Sequence, residues 1–124
     1  MKTAKILVVD DSSLARRTMR QYLEEMGHTV EEAVDGAQAL ERYFLNRHDL
    51  IVLDMVMKGM YGVEVLAKLR EINPEVLVIV ATADIQKSTQ EQVDAAGSSG
   101  FINKPVNREE FSRLVSKLLA ERKG

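Results

Sequence analysis

The chain contains no cysteine, which excludes a disulfide framework, a thiolate zinc site and a cysteine nucleophile. Only two histidines are present, His28 and His48, too few for a histidine-rich metal centre. Long apolar runs are also missing. The longest, Val76 to Ala81, is far short of the roughly 20 residues that cross a bilayer. Near the N-terminus, Ile6 to Val9 stops at Asp10-Asp11, below the roughly 7–15 apolar residues of a signal-peptide core. No membrane insertion and a cytoplasmic location are therefore expected. There is no basic excess either. The net charge is −2, which argues against direct nucleic-acid binding through a basic face. No repeat, linker or low-complexity tract interrupts the chain.

What is present is an ordinary globular balance, 45% hydrophobic and 29% charged over 124 residues. That length predicts one domain, residues 1–124. Short β-branched runs alternate with longer amphipathic stretches. The short runs are Lys5–Asp10, His28–Ala33, Leu50–Asp54, Val76–Ala81 and Gly100–Ile102. Their poor alternation suits strands buried on both faces of a parallel sheet. His28–Ala33 mixes Val30 with Glu31 and Glu32 and reads as an edge strand. Between the runs, Ala15, Met19, Tyr22 and Met26 mark a helix stopped by Gly27. Ala37, Leu40 and Phe44 mark a second helix. Val65, Leu69 and Ile72 mark a third, closed by Asn73-Pro74. Phe111, Leu114, Val115, Leu118 and Leu119 form the strongest stripe, in the last helix. Ile85–Ala96 is thinly anchored and reads as a loosely held helix. Five strands alternating with five helices specify an α/β domain with helices on both faces of the sheet.

In such a sheet the ligand site lies beyond the carboxyl ends of the strands. Strand one ends in Asp10-Asp11-Ser12, strand three in Asp54, strand four in Thr82-Ala83, and strand five runs into Asn103-Lys104-Pro105. Helix capping is the plain explanation of Asp10, Asp11 and Ser12. It does not explain Asp54, which closes an apolar run. Two carboxylates about 4 Å apart repel by roughly 4 kcal/mol at an effective dielectric near 20. Three together call for a cation, and oxygen-only donors point to Mg²⁺. Lys104 can hold charge on a phosphoryl oxygen and Thr82 can donate to another. An aspartate carboxylate can itself be the nucleophile, giving an acyl phosphate.

Taken in order, Ile6-Leu7-Val8-Val9-Asp10-Asp11, Leu53-Asp54 with Gly62 eight residues on, Ala81-Thr82-Ala83 and Asn103-Lys104-Pro105 resemble the receiver domain of two-component response regulators, CheY-like single-domain members in particular. The resemblance implies a flavodoxin-like five-stranded parallel sheet of order 2-1-3-4-5. It implies that Asp54 accepts phosphate, with Asp11 a direct Mg²⁺ ligand, Asp10 acting mostly through water, and Val56 lending a backbone carbonyl. Thr82, Ala83 and Lys104 would form the phosphoryl-binding set, Thr82 and Phe101 the switch, and Lys104–Pro105 a cis peptide. On modification Thr82 would move inward and Phe101 fill the vacated space. The face of Ile85–Ala96, Phe101 and Arg108–Ala120 would then meet a partner. Three departures stand out. Lys58 replaces a proline common four residues after the acceptor, Val56 and Asp84 occupy positions that influence phosphoryl lifetime, and Phe101 lacks a tyrosine hydroxyl.

The function implied is a phosphorylation-dependent signalling switch, fed by a sensor histidine kinase and monomeric. It would catalyse only its own phosphorylation and dephosphorylation. Output would pass by protein contact to a motor, a phosphatase or a phosphotransfer protein, with chemotaxis-type output favoured. The alternatives are a phosphorelay intermediate and the receiver part of a larger regulator. Arg16-Arg17 reads as a solvated helix face or a kinase-docking patch. A flavodoxin-type electron carrier should carry a hydroxyl- and glycine-rich loop where Asp10-Asp11 stand. A haloacid-dehalogenase-type phosphatase should carry an Asp at Val56.

Overall fold

A computed structural model describes residues 3–57, 59–83 and 86–122. Five strands alternate with five helices: β1 Lys5–Val9, α1 Ser13–Glu25, β2 Thr29–Ala33, α2 Gly36–Asn46, β3 Leu50–Asp54, α3 Gly62–Ile72, β4 Leu77–Thr82, α4 Lys87–Ala95, β5 Gly100–Asn103 and α5 Arg108–Glu121. All strand pairings are parallel. The sheet order is β2-β1-β3-β4-β5, as the resemblance implies. β2 lies at one edge, where its two glutamates fit an outer strand.

Side chains alternate across a strand with a period of two, so β1 feeds two cores. Leu7 and Val9 join Ala39, Tyr43, Val65, Leu66, Leu69 and Val93 on the face covered by α2, α3 and α4. Ile6 and Val8 join Met19, Leu23, Phe111 and Val115 on the face covered by α1 and α5. Phe111 is fully buried, and a side chain of that kind contributes about 2–3 kcal/mol on leaving water. β3 is buried along its whole length, which is why its sequence is a plain apolar run ending in one carboxylate.

Local chemistry sets the helix ends. The Ser12 hydroxyl accepts from the Ala15 amide, and Asp35 and Asn107 cap α2 and α5 in the same way. α1 stops at Gly27, whose φ of 95° suits a residue without Cβ. Gly62 opens α3 for a different reason. A Cβ there would lie 2.4 Å from the Asp54 carbonyl oxygen, so only glycine lets α3 start against the end of β3.

Two expected stripes are corrected, and the smaller miss is Ile72 of α3, which is 36% exposed. Ala37, Leu40 and Phe44 were expected to face the core from α2. Instead the helix buries Gly36, Ala39 and Tyr43, with Leu40 partly buried and Phe44 63% exposed. The reason is polar. The Tyr43 hydroxyl accepts a hydrogen bond from Asn73 Nδ2 at 3.0 Å, so its ring is buried with its polar tip satisfied. Phe44 instead lies under the Arg47 guanidinium. α4 is held by two buried side chains, Thr89 and Val93, consistent with its thin apolar content.

Candidate functional site

Every chemically active side chain singled out on the strand ends lies along the carboxyl edge of the sheet. Parallel pairing puts β1, β3 and β4 in step: Val9 pairs with Leu53, and Asp54 with Ala81. Asp10 and Asp54 therefore emerge side by side, and Thr82 one residue further along β4. Carboxylate oxygens of Asp10, Asp11 and Asp54 lie within 4.8 Å of one another. Asp10 and Asp54 are buried, whereas Asp11 is exposed.

Lys104 enters this cluster from the loop after β5. Its ammonium lies 3.3 Å from Asp54 Oδ1 and forms a close ion pair with Asp10 Oδ2. The loop is anchored by the Lys104 amide, which donates to the Thr82 carbonyl at 2.8 Å. The Lys104–Pro105 peptide is cis. Thr82 is 2% exposed, and Phe101 is partly buried against the α2–α4 core. Thr82 is therefore buried at the end of β4, and Phe101 packs partly against the neighbouring core. Val56 lies in the loop two residues past Asp54, its side chain exposed, and Ala83 lies exposed just past β4. Lys58, Asp84 and Ile85 lie outside the described residues.

The electrostatics follow from burial. Asp54 is pushed above the usual carboxylate range, first by loss of solvent and then by the Asp10 charge, while Lys104 pulls it back. Burial alone would lower the Lys104 ammonium. The hydrogen bond to Asp10 and the charges of Asp54 and Asp10 outweigh it, so Lys104 is raised and stays charged. Among the described residues, the Lys104 ammonium pairs with two of the three clustered carboxylates, Asp10 and Asp54. Three oxygen donors, with no sulfur and with both histidines at the other end of the strands, fit Mg²⁺. Asp10 is the most committed of the three. Its Oδ1 accepts from the Ser12 amide at 2.9 Å and its Oδ2 from Lys104. That leaves Asp11 and Asp54 as the carboxylates best placed to touch an ion.

Two features were not anticipated. Arg16, expected on a solvated face with Arg17, turns inward: its side chain is 15% exposed and hydrogen-bonds the Asp10 carbonyl. Arg17 is exposed. His28 and His48 are buried at the amino end of the sheet. The placement of His28, directly after the α1 stop and before an edge strand, was the one available signal.

The receiver-domain model of the response regulator family matches residues 6–116, and the chain belongs to that family. It is 30% identical over 115 residues to the chemotaxis protein CheY of Halobacterium salinarum, covering 93% of this chain and 96% of that one. It is 36% identical over 115 residues to the transcriptional regulatory protein ResD of Bacillus subtilis, covering 93% of this chain but 48% of ResD. The chain thus spans about half the length of several curated relatives it matches. Among solved structures, a CheY-like receiver domain from Methanospirillum hungatei superposes with a TM-score of 0.92 at 26% identity, covering 98% and 97% of the two chains. Chemotaxis protein CheY4 of Vibrio cholerae superposes with a TM-score of 0.89 at 28% identity, covering 94% and 99%.

Proposed function

We propose that this chain is a phosphorylation-driven signalling switch whose acceptor is Asp54. The observation that carries the proposal is the cluster of three carboxylates within 4.8 Å with Lys104 among them. An Asp54 carboxylate oxygen attacks the phosphorus of a phosphohistidine on a sensor kinase. The P–N bond breaks, its electron pair stays on the imidazole nitrogen, and an acyl phosphate forms on Asp54. Mg²⁺, held by Asp11 and Asp54, with Asp10 through water and the Val56 carbonyl, would supply charge stabilisation for the phosphoryl oxygens. Lys104 pairs with one phosphoryl oxygen and Thr82 donates to another, with Ala83 beside them. The raised Asp54 carboxyl is a stronger nucleophile when ionised, and Lys104 beside it favours the ionised form. The chain catalyses only this self-modification and its reversal.

Output passes from the phosphorylated cytoplasmic domain by protein contact, through the face of α4, Phe101 and α5. A thinly anchored α4 suits a segment that a local charge event can shift. Chemotaxis-type output is the favoured form, in line with the 30% identity to the Halobacterium CheY. The half-length match to ResD favours a second reading, the receiver part of a longer regulator. A phosphorelay intermediate would use the same acceptor and hand phosphate to a phosphotransfer protein. Intact-mass spectrometry after Mg²⁺ and a small phosphodonor should show one phosphoryl group on the wild type and none on Asp54→Asn. The same adduct on the variant would move the site elsewhere.

A further inference from the structure

Asp10 is tied to β2 from both sides of its backbone. Its amide donates to the Ala33 carbonyl at 3.1 Å. Its carbonyl accepts from Arg16 Nη1 at 2.7 Å. Arg16 is in turn held by Glu32, whose Oε1 accepts from Arg16 Nε at 2.9 Å. Glu32 Oε2 accepts from Arg20 Nη1 at 2.7 Å, and its backbone carbonyl accepts from Arg42. A planar guanidinium can serve a carbonyl and a carboxylate at once because its donors are fixed in one plane. The Asp10 carbonyl belongs to the rigid peptide plane that leads into Asp11. Holding that carbonyl fixes the plane from which Asp11, the exposed carboxylate of the cluster, departs. Residues 32 and 33 of the outer strand thus reach the acidic edge along two paths, one direct and one through Arg16.

We propose that Arg16, oriented by Glu32, is a positioning residue that sets the Asp10–Asp11 peptide and thereby the affinity of the acidic edge for a divalent cation. The inference rests on the reading of that edge as a Mg²⁺ site. Two physical effects of Arg16 have opposite signs. As a cation near three carboxylates it repels Mg²⁺, so its loss should tighten binding. As a clamp it preorganises Asp11, so its loss should weaken binding. An outer partner of a metal ligand is typically worth ten- to a hundredfold in affinity. The clamp therefore outweighs the repulsion of a charge that is paired with Glu32.

Isothermal titration with MgCl₂ separates the two. Arg16→Gln should bind Mg²⁺ about tenfold more weakly, and Glu32→Ala should also bind more weakly. The double variant should be no weaker than Arg16→Gln alone, because both changes cut one chain of contacts. Arg16→Lys should fall between wild type and Arg16→Gln, and it carries the test if the glutamine variant fails to fold. Unchanged or tighter binding in Arg16→Gln overturns the inference, as does a lowered melting temperature with wild-type affinity, or an additive double variant. Normal wild-type uptake with an unaffected variant sinks this inference alone. No uptake by the wild type sinks the Mg²⁺ reading and this inference together.

Discussion

At the amino end of the strands, His28 Nδ1 accepts the Ala4 amide at 3.0 Å, Asp49 accepts the Lys5 amide at 2.8 Å, and Arg122 pairs with the other Asp49 oxygen at 2.8 Å. At the carboxyl end, three carboxylates cluster and one ammonium pairs with two of them. Both ends bury titratable groups on the same sheet. The amino end pairs most of its groups locally and so contributes to stability. The carboxyl end is left with surplus negative charge, which costs stability and suits a cation. Fold and function draw on opposite edges of one sheet, and that division can be tested.

The largest effect is expected where the carboxyl end is stripped of the ammonium that pairs with Asp10 and Asp54. Lys104→Met leaves buried Asp10 unpaired and should destabilise the protein by about 3 kcal/mol in chelator. Added Mg²⁺ should restore much of that loss, so the variant's melting temperature should depend on Mg²⁺ more steeply than the wild type's. If Mg²⁺ restores nothing, Lys104 is a structural lysine and the contrast between the ends fails.

A smaller loss is expected at the amino end. His28→Ala removes the acceptor for the Ala4 amide and should cost about 2 kcal/mol by denaturant titration. Its Mg²⁺ affinity should match the wild type. A shift in affinity would show that the two ends are coupled.

The smallest effect has a sign that depends on pH. Loss of solvent lowers His28 and His48 below their ordinary 6.5, so their contribution is complete above that value and is lost as pH falls through the window beneath it. Asp54 behaves in the opposite sense. Raised above 3.8, it costs stability when ionised, and the cost is relieved as pH falls through the window above 3.8. In chelator, Asp54→Asn should therefore be more stable than wild type by about 1 kcal/mol at pH 7, roughly 3–5 °C in melting temperature for a chain of this length. The gap should close as pH falls towards 4. A variant less stable at neutral pH would mean that the Asp54 carboxylate is satisfied rather than strained.

Much of this division could be read in the chain beforehand, for identifiable reasons. Parallel strands buried on both faces announce themselves as apolar runs, so a carboxylate that closes one, as Asp54 does, is conspicuous. Lys104 and Thr82, unremarkable singly, were legible through their joint placement at consecutive strand ends. The misread stripe of α2 came from following hydropathy to Phe44. Hydropathy cannot see the Asn73 amide, 30 residues away, that satisfies the Tyr43 hydroxyl. Arg16 was misplaced for a similar reason. Its partners are a backbone carbonyl and Glu32, 16 residues on, and no periodicity marks such a contact. Long-range polar pairing is what a one-dimensional pattern leaves out.

The outer strand β2 pairs only with β1, yet its free side is a poor template for a second molecule. The Glu32 carbonyl is already taken by Arg42, and Glu31 is bound to Asn46 and His48. An intruding strand would have to evict a guanidinium and break these bonds before gaining its first rung. The guanidinium that takes the Glu32 carbonyl thus guards the border of the sheet against a second strand.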